Sequence, residues 1–260
     1  MGEIKEMIDL HSHILCDLDD GAGALEESIE MCRISYHDGI RTIVATPHIL
    51  DGIYENDRST ILAKVQELRT ALVHSALRTQ NSELSLTILP GADVHFSSDI
   101  LYRCEEGEIV TVNDQGRYLM VEFESQGIPY MAEEALFQML MKGIVPIISH
   151  PERNMEIGKK PKRYYEMIRM GCLGQVTAMS LTGEFGPEVM KVAEKLLAHR
   201  LIHIIASDAH SVRRRPPLLS SAVKAAEKIV GEEEARKLVT EYPEAIINGH
   251  RPDIPEPLSP

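Results

Sequence analysis

"MIDLHSHILCDLDDG", residues 7–21, decides how this chain is read. A short apolar run ends at two histidines one residue apart, His11 and His13, and three aspartates and a glycine follow. Among 11 histidines one His-x-His pair is weak evidence alone. Its meaning depends on whether the rest of the chain sends matching ligands to the same place.

The pattern outside this stretch alternates strands and helices. Short runs rich in Val, Ile and Leu predict strands at 7–10, 41–46, 84–90, 117–123, 144–149, 172–177 and 201–207, buried on both faces. Apolar residues at helical spacing predict helices over 26–39, 57–77, 131–143, 161–171 and 187–200. Three of these end at Gly39, Gly143 and Gly171, each feeding the next strand. Seven strands alternating with helices imply an α/β fold with a parallel sheet. No Gly-x-Gly-x-x-Gly or Walker A sequence marks a nucleotide-binding open sheet. No linker or repeat divides 1–248, which reads as a single domain; the tail "GHRPDIPEPLSP", 249–260, has four prolines and is expected to be irregular.

Six of the seven expected strands end in His, Asp or Glu. His11 and His13 follow the first, His48 ("TPH") the second, Asp93 ("GADVH") the third. Glu122 ends the fourth, His150 ("SHPER") follows the fifth, and Asp208 and His210 ("SDAH") follow the seventh. The sixth ends in "VTAMS" and supplies no obvious ligand. In a barrel of parallel strands all these ends open into one cavity. A single such histidine would be read as a satisfied core or surface residue. Six strands sharing the pattern point instead to a metal site. Imidazole and carboxylate donors without thiolate suit zinc, manganese or iron. With Asp20 the candidates number nine. One ion takes about four to six protein ligands, so nine imply two or three ions.

Two features point to phosphate. Arg153 follows His150 by three residues, and "RRRPP", 213–217, follows His210 by three. A triple arginine is usually a solvated patch. Here guanidinium groups, suited to bidentate phosphate recognition, stand beside two ligand-bearing strand ends, and Arg153 and Arg215 are the candidates.

The bulk numbers exclude other classes. A net charge of −13 argues against nucleic-acid binding, which needs a basic face. Glu232 to Glu234 read as a solvated face. No apolar run reaches the roughly 18–20 residues that span a membrane, and the N-terminus lacks a signal-peptide pattern, so a cytoplasmic protein is expected. Cys16, Cys32, Cys104 and Cys172 are scattered, form no Cys-x-x-Cys pair, and none has an arginine six residues later. They read as reduced thiols, not as the nucleophile of a cysteine-dependent phosphatase.

"DLHSHILCDLDDG", "TPH", "GADVHF", "VEF", "ISHPER" and "ASDAH…RRRPP" together resemble the PHP (polymerase and histidinol phosphatase) superfamily. Within it they are most similar to the bacterial manganese-dependent protein-tyrosine phosphatases of capsule and exopolysaccharide operons, in order from about residue 7 to residue 249. The resemblance implies a distorted (β/α)7 TIM-like barrel, the PHP fold, holding three divalent ions, manganese first and iron or zinc as alternatives. His11, His13, Asp93 and Asp208 would hold one ion. Asp93, Glu122 and His150 would hold the second, and Asp20, His48 and His210 the third. Arg153 and Arg215 would contact the phosphate, and a metal-bound hydroxide would attack phosphorus in line without a phosphoenzyme. The implied substrate is a phosphotyrosine protein, a tyrosine kinase controlling polysaccharide export, with no nucleic acid and no membrane insertion. In one place the chain departs from the family pattern: Asp93 stands where that pattern has glutamate. One methylene shorter, it bridges two ions only if the backbone comes closer.

Two alternatives stay open on sequence. A small-molecule PHP phosphatase, of the histidinol phosphate type, would have nearly the same metal set and differ in pocket shape. A regulatory protein with a decayed site fits less well, because the ligand set is complete. Amidohydrolases also place His-x-His in a barrel, but no carbamylated-lysine candidate ends the fourth strand and the paired arginines favour phosphate. His95 and the acidic loop 49–58 receive no role.

Overall fold

The computed structural model describes residues 6–79 and 85–260. Its strands are β1 (Met7–Ser12), β2 (Ile40–Ala45), β3 (His48–Ile49), β4 (Thr87–Pro90), β5 (Asp93–His95), β6 (Tyr118–Glu122), β7 (Val145–Ser149), β8 (Leu173–Thr177) and β9 (Ile204–Ala206). Its α-helices are α1 (Leu25–Asp38), α2 (Arg58–Thr79), α3 (Ile100–Glu105), α4 (Ala132–Met141), α5 (Met155–Lys159), α6 (Lys162–Met170), α7 (Ala178–Thr182), α8 (Pro187–Ala198), α9 (Ser220–Val230), α10 (Glu232–Lys237) and α11 (Glu241–Ile247). Every strand and helix expected from sequence has a counterpart. Leu84, the first residue of the expected third strand, lies outside the described residues.

The fold is α/β with parallel sheets. One sheet has the order β1-β2-β4 and the other β3-β5-β6-β7-β8-β9, every pairing parallel. The second and third expected strands each continue into a short extra strand, β3 and β5, that joins the other sheet. Pro47 and Pro90 stand at the two breaks. Proline has no N–H to give a ladder, so each strand turns there and resumes beside a new neighbour. The sheets also meet at β1 and β9: Asp208 N donates to His11 O and His13 N to Ala209 O, both at 2.8 Å. The buried Asp9 carboxylate adds a third tie, accepting from Ser207 N at 2.9 Å and from Ser207 Oγ at 2.5 Å.

Both sheet faces are buried, as the Val/Ile/Leu-rich strands require. Leu119, Val121, Ile148 and Ile205 pack among the helices. Leu10, Val44, Met120, Ile147, Ile204 and Ala206 form a second cluster, into which α11 sends Ile246. Side chains alternate along a strand, so the second cluster continues toward the strand C-termini at every other residue. Met120 leads to Glu122, Ile147 to Ser149, Ala206 to Asp208, and Val44 through Thr46 to His48. The apolar floor thus gives way to polar groups on one face.

Residues 251–260 form neither helix nor strand, as expected. They nonetheless pack down: Tyr118 Oη donates to His250 O, Pro252 is buried, and Leu258 N donates to His199 O at 2.8 Å. No helix among the described residues is long and apolar enough to cross a membrane.

Candidate metal centre

All nine candidate ligands come together at the strand C-termini. Potential ligand atoms of seven of them form three overlapping groups, each within 4.8 Å: His13, Asp20, His48 and His210; His11, His13 and Asp93; His48, Asp93 and Glu122. Asp208 Oδ1 lies 3.5 Å from His11 Nε2 and 3.4 Å from His13 Nε2. His150 Nε2 lies 3.4 Å from Glu122 and 3.9 Å from Asp93 Oδ2. His210 Nε2 lies 3.4 Å from Asp20 Oδ1.

The backbone bends to make this possible. His150 and Asp208 hold left-handed φ angles of 33° and 51°, rare for residues with a side chain. Such strain clusters at functional positions, where surrounding structure enforces it. In the opening motif, Gly21 packs against His13: a Cβ there would sit 2.2 Å from His13 O. Only glycine lets the loop fold back so that Asp19 and Asp20 face the histidines.

Several ligands are oriented by partners that sequence reasoning missed. His13 Nδ1 lies 2.7 Å from Asp19 Oδ2, and Asp19 also accepts from His48 N and Gly21 N. His11 Nδ1 lies 3.0 Å from Gln175 Oε1, and His210 Nδ1 lies 2.9 Å from Asp208 O. With Nδ1–H given to these oxygens, the Nε2 atoms of the three rings turn toward the cavity, the usual support for a metal-bound histidine. Asp19 stood in the quoted stretch but is indistinguishable there from Asp17 and Asp20. Gln175, two residues before the end of β8, had no signal.

Charge and burial suit cations. Asp93 Oδ2 and His150 Nε2 are buried with no hydrogen-bond partner, and His11 Nε2 and His13 Nε2 point at each other 3.0 Å apart. Buried lone pairs left unmatched are costly unless something positive binds them. Burial opposes protonation of His13, but Asp19 and Asp208 outweigh it and push its pKa up to about 10. Burial, then the positive His13, lowers His48 to about 4, and burial lowers His11, His150 and His210 as well. These four imidazoles are therefore neutral and able to donate. Burial, with Asp93 alongside, raises the Glu122 carboxyl well above the ordinary range. Such a set of neutral imidazoles and crowded carboxylates fits divalent ions held by nitrogen and oxygen.

The two arginines reach the same place. Arg153 Nη1 donates to Asp208 Oδ2 at 2.9 Å, and Arg215 Nη2 lies 2.5 Å from the same oxygen. A tight turn returns Arg215: its carbonyl accepts from His210 N and Ser211 N, and its own N–H donates to Ser211 Oγ. Arg213 and Arg214 stay exposed. None of the cysteines is activated. Burial pushes Cys32 and Cys172 up to about 12 and Cys104 to about 11, and raises Cys16 too. His95, at the end of β5, and Tyr54, in the loop 49–58, line a cleft of about 440 Å³ with Asp20, His48 and Glu122. The Tyr54 ring stacks on His48 with centroids 5.8 Å apart.

Comparison with known proteins identifies the family. The family model for capsular polysaccharide synthesis, CpsB/CapC, matches residues 7–248. The tyrosine-protein phosphatase YwqE of Bacillus subtilis is 35% identical over 227 residues, 87% of this chain and 86% of its own. The tyrosine-protein phosphatase CpsB of Streptococcus pneumoniae is 34% identical over 93% of this chain and 98% of its own. A solved structure from the work on YwqE from Bacillus subtilis and CpsB from Streptococcus pneumoniae, described as metal-dependent tyrosine phosphatases, superposes with a TM-score of 0.91. It shares 33% identity and covers 98% of this chain and 99% of that one.

Proposed function

This chain belongs to the CpsB/CapC capsular polysaccharide synthesis family, and from that premise we propose that it is a metal-dependent protein-tyrosine phosphatase. The observation that carries the reading is one carboxylate. Asp208 faces His11 and His13 with one oxygen and Arg153 and Arg215 with the other. A phosphoryl group placed there would meet cations on both sides.

The ligand sets proposed are His11, His13, Asp93 and Asp208 for one ion, Asp93, Glu122 and His150 for a second, and Asp20, His48 and His210 for a third. The separations of 3.4–3.9 Å within these sets support the assignment. The donor chemistry suits manganese, iron or zinc, and the family resemblance puts manganese first. Bound there, divalent ions would polarise a water molecule and neutralise phosphoryl oxygens. The chain's own contribution is positional. Asp19, Gln175 and the Asp208 carbonyl aim the imidazoles, Ser149 holds Asp93, and Arg153 and Arg215 grip the phosphoryl oxygens. Preorganised donors of this kind act where charge develops. The raised thiol pKa values leave no cysteine nucleophile for a phosphoenzyme.

We read the two sheets as one distorted (β/α)7 barrel forming a single domain over 1–248, a reading supported by the β1–β9 hydrogen bonds and by the extent of the family match. We also propose that the substrate is a tyrosine kinase of polysaccharide export and that the protein acts in the cytoplasm. Four unpaired cysteines fit that reducing compartment. The test is a panel of a phosphotyrosine peptide, a phosphoserine peptide and histidinol phosphate, assayed with added manganese. Preference for the phosphotyrosine peptide is expected. Preference for histidinol phosphate would replace this reading with a small-molecule phosphatase.

A further inference from the structure

We propose that Phe185 is a positioning residue for phosphate recognition: a single aromatic ring that fixes Arg153 and Arg215 as a pair. The proposal rests on the reading that these two arginines hold the phosphoryl group.

The guanidinium carbon of Arg153 lies 5.4 Å from the Phe185 ring centroid and that of Arg215 lies 5.9 Å from it. Both distances fall within the range where a ring's negative face attracts a cation. The two arginines come from different loops, one after β7 and one after β9, and both also approach Asp208 Oδ2. Two like charges beside one oxygen repel each other. A π face under both guanidinium groups offsets part of that repulsion without occupying an N–H group needed for the ligand.

Hydrogen bonds alone do not fix this pair. Arg153 has its bond to Asp208, but Nε and Nη2 of Arg215 are buried with no hydrogen-bond partner, the Asp208 contact lacking hydrogen-bonding geometry. Each side chain remains about a quarter exposed, at 24%. The ion pair with Asp208 Oδ2 tethers Arg215 at one corner only, and the ring covers the rest of the guanidinium.

The loop that carries Phe185 is shaped for this placement. It is the segment "TGEFGP", 182–187, joining α7 to α8. Gly183 and Gly186, on either side of Glu184 and Phe185, take φ angles of 91° and 94°. L side chains rarely adopt such angles, so the two sharp turns need glycine. β8, the strand whose end offers no metal ligand, thus serves the site in another way. Thr177 at its end donates to Asp208 Oδ2 at 3.2 Å, and the loop beyond α7 supplies the ring.

The experiment is calorimetric titration of the manganese-loaded protein with inorganic phosphate, with metal content measured in parallel. Phe185→Ala and Phe185→Leu should each weaken phosphate binding about tenfold while metal content stays at the wild-type level. Phe185→Tyr, which keeps a ring face, should bind within about twofold of wild type, because the attraction needs only the π face. In an Arg153→Ala/Arg215→Ala background, Phe185→Ala should cost nothing further. A Phe185→Leu protein that binds phosphate like wild type would show that the residue only fills space and would overturn the proposal. An equal loss in the background lacking both arginines would overturn it too. Wild-type protein that binds phosphate but leaves phosphotyrosine peptide intact would instead overturn the phosphatase reading.

Discussion

Ser149 Oγ donates a hydrogen bond of 2.5 Å to Asp93 Oδ1, while Asp93 Oδ2 has no hydrogen-bond partner and faces three histidines. That oxygen lies 3.5 Å from His11 Nε2, 3.6 Å from His48 Nδ1 and 3.9 Å from His150 Nε2. Asp93 therefore offers one oxygen to the centre, and the serine fixes the other. Ser149→Ala should free the carboxylate to rotate and weaken metal binding by about tenfold or more, the scale for losing a partner that orients a ligand. Competition with a chelator of known affinity measures this, with thermal melting as the check on folding. Unchanged metal affinity would mean that Asp93 needs no such support.

Asp19→Asn should act through His13. The carboxylate, 2.7 Å from His13 Nδ1, orients the ring. The amide keeps shape but loses charge, so metal affinity should fall roughly 10–100-fold. Asp17→Asn is the control, since Asp17 is exposed and should leave affinity unchanged.

Arg215→Ala should keep full metal content, since guanidinium has no lone pair to offer an ion. It should lose on the order of 10²–10³ in kcat/KM on a phosphotyrosine peptide, the cost of removing one electrostatic stabiliser. Arg215→Lys should recover only part, because a point charge cannot bind two oxygens at once. Arg213→Ala, at an exposed position, should be nearly silent. Equal losses for Arg213→Ala and Arg215→Ala would reduce the pair to a diffuse basic patch.

The strand-end pattern made most of this centre legible in sequence. Eight of the nine candidate ligands sit where a strand-forming apolar run stops, and that junction is visible in the sequence itself. Contacts that depend on distant segments were not visible. Asp19 and Asp20 are neighbours, and only the loop folded around Gly21 shows that Asp19 backs His13 while Asp20 faces His210. Strands β3 and β5 are too short, at two and three residues, to show a period. Helix α9 begins where Asp38, 181 and 182 positions earlier in the chain, accepts from Leu219 N and Ser220 N. Phe185 has no ligand chemistry to announce it.

The buried His203 predicts a stability loss on the acid side. Its Nδ1 accepts from Gly174 N at 3.0 Å, which requires the neutral ring, and burial lowers its pKa from 6.5 to about 4. Between these values the unfolded chain binds a proton that the folded chain refuses. Stability is therefore complete above pH 6.5 and falls as pH drops toward 4, by up to about 3 kcal/mol from this group. Denaturant titrations of wild type and His203→Asn at pH 7 and pH 5 isolate its share. The variant should show a shallower acid loss; an identical slope would rule this origin out.

The central claim, hydrolysis of phosphotyrosine at a metal centre built from strand-end histidines and carboxylates, is tested most directly by stripping and restoring the metal. Phosphotyrosine peptide hydrolysis should vanish after chelation, return when manganese is added back, and persist after all thiols are alkylated. Activity that survives complete metal removal, or that disappears on alkylation with metal content intact, would contradict it.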